Sequence, residues 1–92
     1  MKRCLKISFD ISNAPEGFLS FVQKSAKELR IEGTAQVVES KTLRMVVQGK
    51  SENVEQFVDL MHAGYKEWLP SNITEEPFLS NRDYRGTFRI IE

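Results

Sequence analysis

The sequence predicts an α+β fold: a two-layer sandwich in which two helices cover one face of an antiparallel sheet. The hydrophobic period switches between two and about 3.6 residues in the order strand, helix, strand, strand, helix, strand. Each helical stretch carries one apolar stripe and each extended stretch one apolar face, so the two kinds of element must bury those surfaces against each other. At 92 residues the chain has room for one such core and not for two, and it reads as a single domain over residues 1–92.

Leu5, Ile7, Phe9 and Ile11 alternate with Lys6, Ser8 and Asp10, the pattern of a half-buried first strand. Asn13-Ala14-Pro15-Glu16 reads as a helix start. Asn13 can accept from exposed amides, Pro15 needs no donor there, and Glu16 can reach back to the cap. Phe18, Phe21, Val22, Ser25, Ala26 and Leu29 then share one face, and Lys24, Lys27, Glu28 and Arg30 take the other as a solvated surface. Gly33 precedes a second strand over residues 34–39, and Ser40-Lys41 reads as a hairpin turn. In the third strand Leu43, Met45 and Val47 alternate with Thr42, Arg44, Val46 and Gln48, and Gly49-Lys50 is its break.

Ser51 is suited to cap the second helix, with Glu52 and Glu55 near its positive end. Val54, Phe57, Val58, Met61, Tyr65 and Trp68 form its stripe, with Gly64 as a stop signal, and Pro70-Ser71-Asn72 ends the helical region. Residues 73–78 read as an edge strand containing Pro77, and Asn81-Arg82-Asp83 as a turn. Tyr84, Gly86, Phe88 and Ile90, alternating with Arg85, Thr87, Arg89 and Ile91, make the closing strand. This is the split βαβ, or ferredoxin-like, order with an extra strand.

Bulk composition excludes several classes. Lys+Arg and Asp+Glu number 13 each, so no whole-molecule field recruits nucleic acid or an anionic membrane. No run approaches the roughly 20 apolar residues that cross a bilayer, and the residues after Met1-Lys2-Arg3-Cys4 alternate rather than form a leader's apolar segment. The expectation is a soluble, cytoplasmic protein with no cofactor and no metal. Cys4 is the only cysteine and His62 the only histidine; they lie in different elements and read as a strand thiol and a helix-flank imidazole.

The segment Ile11-Ser12-Asn13-Ala14-Pro15-Glu16-Gly17-Phe18-Leu19, placed between a strand and a helix, resembles the acylphosphatase signature Gly-Arg-Val-Gln-Gly-x-x-Phe-Arg. Residues 5–49 align with that family without a gap. Leu5-Lys6-Ile7-Ser8-Phe9 looks like its first strand, Phe18 with Phe21-Val22-Gln23 like its first helix, and Gly33 and Gly49 like its strand glycines. Val54 and Phe57 fit its second helix, and Ile73 after Pro70 its fourth strand. The resemblance implies a loop whose amides and an arginine hold a phosphoryl group while an asparagine on the second strand positions water. Carried over residue by residue, Ser12 takes the first signature arginine, Leu19 the phosphate-gripping one and Val37 the asparagine. Leucine offers no guanidinium fork and valine cannot hold a water. Pro15 replaces a loop glycine and removes an amide, and Glu16 adds a negative charge.

The leading expectation is therefore an acylphosphatase-like domain that has lost acyl-phosphate hydrolysis and acts as a binding or interaction module. Its altered anion-binding loop comprises Ser12, Asn13, Ala14, Pro15, Glu16, Gly17 and Phe18. The alternative is an active acylphosphatase in which Lys24, Lys41 or another cation replaces the arginine. A further alternative is nucleic-acid binding through an open sheet face bearing Lys6, Arg44, Arg85 and Arg89 beside Ser8, Thr42, Gln48 and Thr87. That face lacks the stacking aromatics of an RNA-reading sheet. A small-molecule regulatory domain of the amino-acid-sensing kind shares the topology, and the length of the chain is expected to weigh against it. No particular protein or small-molecule partner is identified.

Overall fold

The computed structural model describes residues 2–39, 41–79 and 84–91. Its elements are β1 (Lys2–Asp10), α1 (Phe18–Glu28), β2 (Glu32–Val38), β3 (Thr42–Lys50), α2 (Ser51–Ala63), β4 (Ser71–Pro77) and β5 (Phe88–Ile91). The strands form one sheet in the order β4-β1-β3-β2-β5. β1 pairs β3 from Lys2↔Lys50 to Asp10↔Thr42, β2 pairs β3 as a hairpin closing at Val38↔Thr42, and β4 lies along the free edge of β1, all antiparallel. The expected antiparallel sheet is modified at its other edge, where β5 joins β2 in parallel from Gly33↔Phe88 to Gln36↔Ile91. The reason is directional. β4 runs against β1, so a chain that reverses after β4 runs with β1 and β2, and it lands beside β2.

Alternation puts Leu5, Ile7 and Phe9 of β1, Leu43, Met45 and Val47 of β3, and Ala35 of β2 on the helix side, all buried. From above, α1 presents Phe18, Val22, Ser25 and Ala26, and α2 presents Val54, Phe57 and Met61. Phe57 reaches Phe88 of the edge strand with ring centroids 6.2 Å apart, so both layers and the parallel edge meet in one core. Each such buried apolar side chain contributes about 2 kcal/mol of transfer free energy. Gly33 is the point where the sheet tolerates no side chain. Its φ is 141°, and a Cβ there would lie 1.8 Å from the Val46 carbonyl oxygen.

Several local expectations are corrected. The first helix does not begin at Asn13-Pro15: two successive turns, Ala14 N to Ile11 O at 3.0 Å and Phe18 N to Pro15 O at 3.2 Å, use that segment first. Gly17, with φ 89°, precedes the helix and no side chain caps it. Gly49-Lys50 does not break β3, because Arg3 and Lys2 of β1 extend far enough to pair with both. Ser51 is the first residue of α2 and not its cap; Lys50 precedes it without a side-chain bond. Tyr65 and Trp68 lie beyond the helix end, in a tight turn closed by Tyr65 N to Trp68 O and Trp68 N to Tyr65 O, each 2.9 Å. Tyr84, Gly86 and Thr87 are not part of the closing strand, because Thr87 N returns to Tyr84 O at 3.0 Å as a turn. Ser40 of the hairpin turn and the expected turn Asn81-Arg82-Asp83 lie outside the described residues.

Phe57 is fully buried and joins the helical layer to β5. Phe57→Ala is expected to cost about 4 kcal/mol in urea unfolding followed by circular dichroism; a loss below about 1 kcal/mol would show that this core collapses around the deletion.

Candidate functional site

The carboxyl end of β1, the β2–β3 turn and the segment between α2 and β4 meet at one end of the sheet, because Asp10 pairs with both Thr42 and Ser71. The β1–α1 loop is held there by Ile11 N, which donates to Lys41 O at 2.6 Å. Asp10 fixes its first turn: one carboxylate oxygen accepts the Ser12 amide at 2.8 Å and the Ser12 hydroxyl at 2.7 Å. Those two bonds, the amide first, hold the Asp10 carboxyl below the ordinary aspartate value; Lys41 adds a smaller attraction against slight desolvation.

Beyond that clamp the loop is well supplied with donors. Ala14 N and Phe18 N are used in the turns described, whereas the amides of Asn13, Glu16, Gly17, Leu19 and Ser20 have no partner among the described residues. The Asn13 side chain caps none of them, which overturns its expected role. A left-handed Gly17 makes the entry into α1, and a Cβ on it would stand 3.5 Å from Tyr65 Oη. Tyr65 stacks on Phe21 at 4.7 Å, and Trp68 meets Phe18 edge to face at 4.8 Å. An aromatic brace from the α2–β4 segment therefore supports the first turn of α1.

A cavity of about 300 Å³ opens beside this loop, lined by Ile11, Ala14, Pro15, Glu16, Gly17, Phe18, Leu19 and Ser20. Of the expected loop residues, Ala14 to Phe18 line it and Ser12 and Asn13 do not. Leu19 is half-buried and packs on the core, as does Val37. Val37 shares a row with Leu43 and Phe9 across the sheet, and Phe9 meets Phe18 at 6.0 Å, but Leu19 lines the cavity and Val37 does not. The only charge among the lining residues is the Glu16 carboxylate. Lys24 and Lys41 are exposed and line no part of the cavity. Ile11, Ser20, the Asp10 clamp and the aromatic brace were not anticipated; of these only Asp10 had a sequence signal, an aspartate two residues before a serine at a strand end.

The other candidate groups are dispersed. Pairing places Lys6, Arg44 and Arg89 on the open sheet face with Ser8 and Gln48, but Glu76 lies opposite Lys6, and Arg85 sits in the turn before β5. Ser8 and Thr74 join their hydroxyls at 2.7 Å. His62 Nε2 lies 2.7 Å from Glu75 Oε2 on the helix side, whereas Cys4 shares the open face with Gln48. Burial pushes the Cys4 thiol up, the opposite of activation. Among the described residues no cluster of three His, Cys, Asp or Glu side chains could hold a metal, and no helix is long and apolar enough to cross a membrane.

A model of the acylphosphatase family matches residues 16–90. Among solved structures, the chain is similar to an acylphosphatase from Coxiella burnetii at 20% identity and a TM-score of 0.83, covering 98% of this chain and 93% of that one. An acylphosphatase from Bacillus subtilis matches at 18% identity and a TM-score of 0.81, each chain covered in full. HypF from T. kodakarensis matches at 20% identity and a TM-score of 0.76, covering all of this chain and 12% of that one. These structural likenesses concern the fold. No curated protein sequence matches the chain.

The Asp10 clamp predicts a pH dependence. Its folded-state pKa is lowered, so its stabilisation is present above the unfolded-state value of about 3.9 and lost as pH falls through the folded value. The Ser12 amide resonance should titrate with a midpoint below that value and lose this titration in Asp10→Ala. A midpoint at or above about 3.9 would mean that the clamp does not form in solution.

Proposed function

The chain belongs to the acylphosphatase family, and from that membership we propose that it no longer hydrolyses acyl phosphates and serves as a binding module. The observation that carries this reading is the loop cavity, which has apolar walls and one carboxylate where hydrolysis requires a cation. Leu19 and Val37 occupy the positions that the family resemblance assigns to the phosphate-gripping arginine and the water-holding asparagine. Acyl-phosphate hydrolysis needs little covalent help from the protein. It needs neutralisation of phosphoryl charge and an oriented water, and neither side chain supplies them. The Glu16 carboxylate opposes an anion at roughly 5 Å by about 1–3 kcal/mol at an effective dielectric between surface and bulk values.

The amides around Glu16 and Leu19, without partners among the described residues, still favour an acceptor. Beside apolar walls and a carboxylate, they suit a neutral carbonyl group of a partner better than a phosphate dianion. Those same amides are the one observation in favour of a second reading, an active enzyme with a substitute cation. Lys24 and Lys41 stand off the cavity lining, which weighs against it.

Benzoyl phosphate hydrolysis by the purified chain is expected to equal spontaneous decay under the same conditions. Saturable hydrolysis that survives repurification would sink the proposal. The triple variant Leu19→Arg, Val37→Asn, Pro15→Gly should raise hydrolysis at least about tenfold over background, a fraction of the 10²–10³ that one well-placed donor supplies; an inert but folded triple variant would count against the residue frame.

A further inference from the structure

A second cavity, of about 480 Å³, lies at the opposite end of the sheet, where α1, the start of β2 and the start of β5 meet. The loop end is marked by Val38↔Thr42, and this end by Glu32↔Gln48 and Gly33↔Phe88. Along β2 that separation is about 20 Å. Ile31 and Phe88, both buried, form an apolar floor. Gln23 Nε2 donates to the Phe88 carbonyl at 3.4 Å and ties the helix to the edge strand. Lys27, Arg30, Glu32 and Thr87 stand around the rim.

Neither cation is consumed by the fold. Basic side chains at the end of a helix ordinarily serve its last carbonyls. Here backbone amides do so instead: Leu29 N to Ser25 O at 3.0 Å, Ile31 N to Ala26 O at 2.8 Å and Arg30 N to Lys27 O at 3.2 Å. Lys27, Arg30 and Glu32 make no ion pair with any described residue. Arg30 also has a left-handed backbone, φ 55°, just past the helix, where glycine is the least strained residue. The chain keeps a guanidinium at a position that penalises it.

We infer that this cavity binds a small organic anion, with a carboxylate or phosphate group held between Lys27 and Arg30 and an apolar body resting on Ile31 and Phe88. The guanidinium supplies two parallel donors and the ammonium a point charge. The floor contributes burial, and the volume falls within the roughly 300–1,000 Å³ of small-ligand sites. Glu32 at the same rim rejects a second anionic group on its side and selects a hydroxyl or ammonium there. This site is independent of the loop and of whether the loop is catalytic.

The test is a set of amide-resonance titrations of the ¹⁵N-labelled chain with benzoate, phenyl phosphate, inorganic phosphate and benzyl alcohol, each alone. The expected result is saturable shifts at Gln23, Lys27, Arg30, Thr87 and Phe88 with at least one aryl anion, and none with benzyl alcohol. The tighter of the two aryl anions identifies the head group. Arg30→Gly should weaken that anion about tenfold while raising the melting temperature, because it relieves the left-handed backbone. Lys27→Ala should weaken binding similarly. A more stable variant that binds less cannot be explained by misfolding. Shifts confined to residues 13–20, no saturation by either aryl anion, equal affinity for inorganic phosphate, or unchanged affinity in both variants would each overturn the assignment.

Discussion

β1 and β3 pair in one unbroken register, from Lys2↔Lys50 to Asp10↔Thr42, and the other elements take their places from it. Because side chains alternate across a strand, that register decides that Leu5, Ile7, Phe9, Leu43, Met45 and Val47 all face the helices. A slip of one residue would turn the whole set to solvent. It also brings Asp10 and Thr42 to the same end, and so places the β1–α1 loop beside the β2–β3 turn. β4 and β5 are edges added to this frame, and the two helices cover it by burying their apolar stripes against its apolar face.

Within that frame the loop carries two incompatible tendencies. Its backbone offers amides that have no partner among the described residues next to a helix start, the arrangement that favours an acceptor or anion. Its side chains oppose a strong anion: Leu19 packs inward on the core, Pro15 gives no amide, and Glu16 carries the sole charge of the lining. The backbone shape of this loop is maintained by its two turns, the Asp10 clamp and the aromatic brace, so it does not depend on which side chains line the cavity.

The strands and helices were legible because burial on one face forces a period, and the period is written in Leu5-Ile7-Phe9 and in Val54-Phe57-Met61. The start of α1 was misread for a physical reason. Asn, Pro and Asp serve helix caps and turns equally well, and here Asp10 engages Ser12 while Ala14 returns to Ile11, so two turns form before any helical residue. Gly49-Lys50 has the composition of a break, but strand length is decided by the partner, and β1 extends to Lys2. The parallel direction of β5 follows from where the chain lands after β4, which no local pattern encodes. The loop was legible as a candidate site only through its likeness to a family. The α1–β5 cavity assembles residues from three elements and had no linear signature.

Trp68 is the only tryptophan in the chain, and its ring meets Phe18, the first residue of α1, at 4.8 Å. An indole in that position is an intrinsic optical probe. Its emission depends on the packing and solvation of one helical turn, the same turn that borders the loop cavity. Loosening of the α1 start and global unfolding therefore converge on one fluorophore, whereas Trp68 is not among the residues that line the cavity at the other end of the sheet. The molecule carries its own means of telling its two ends apart.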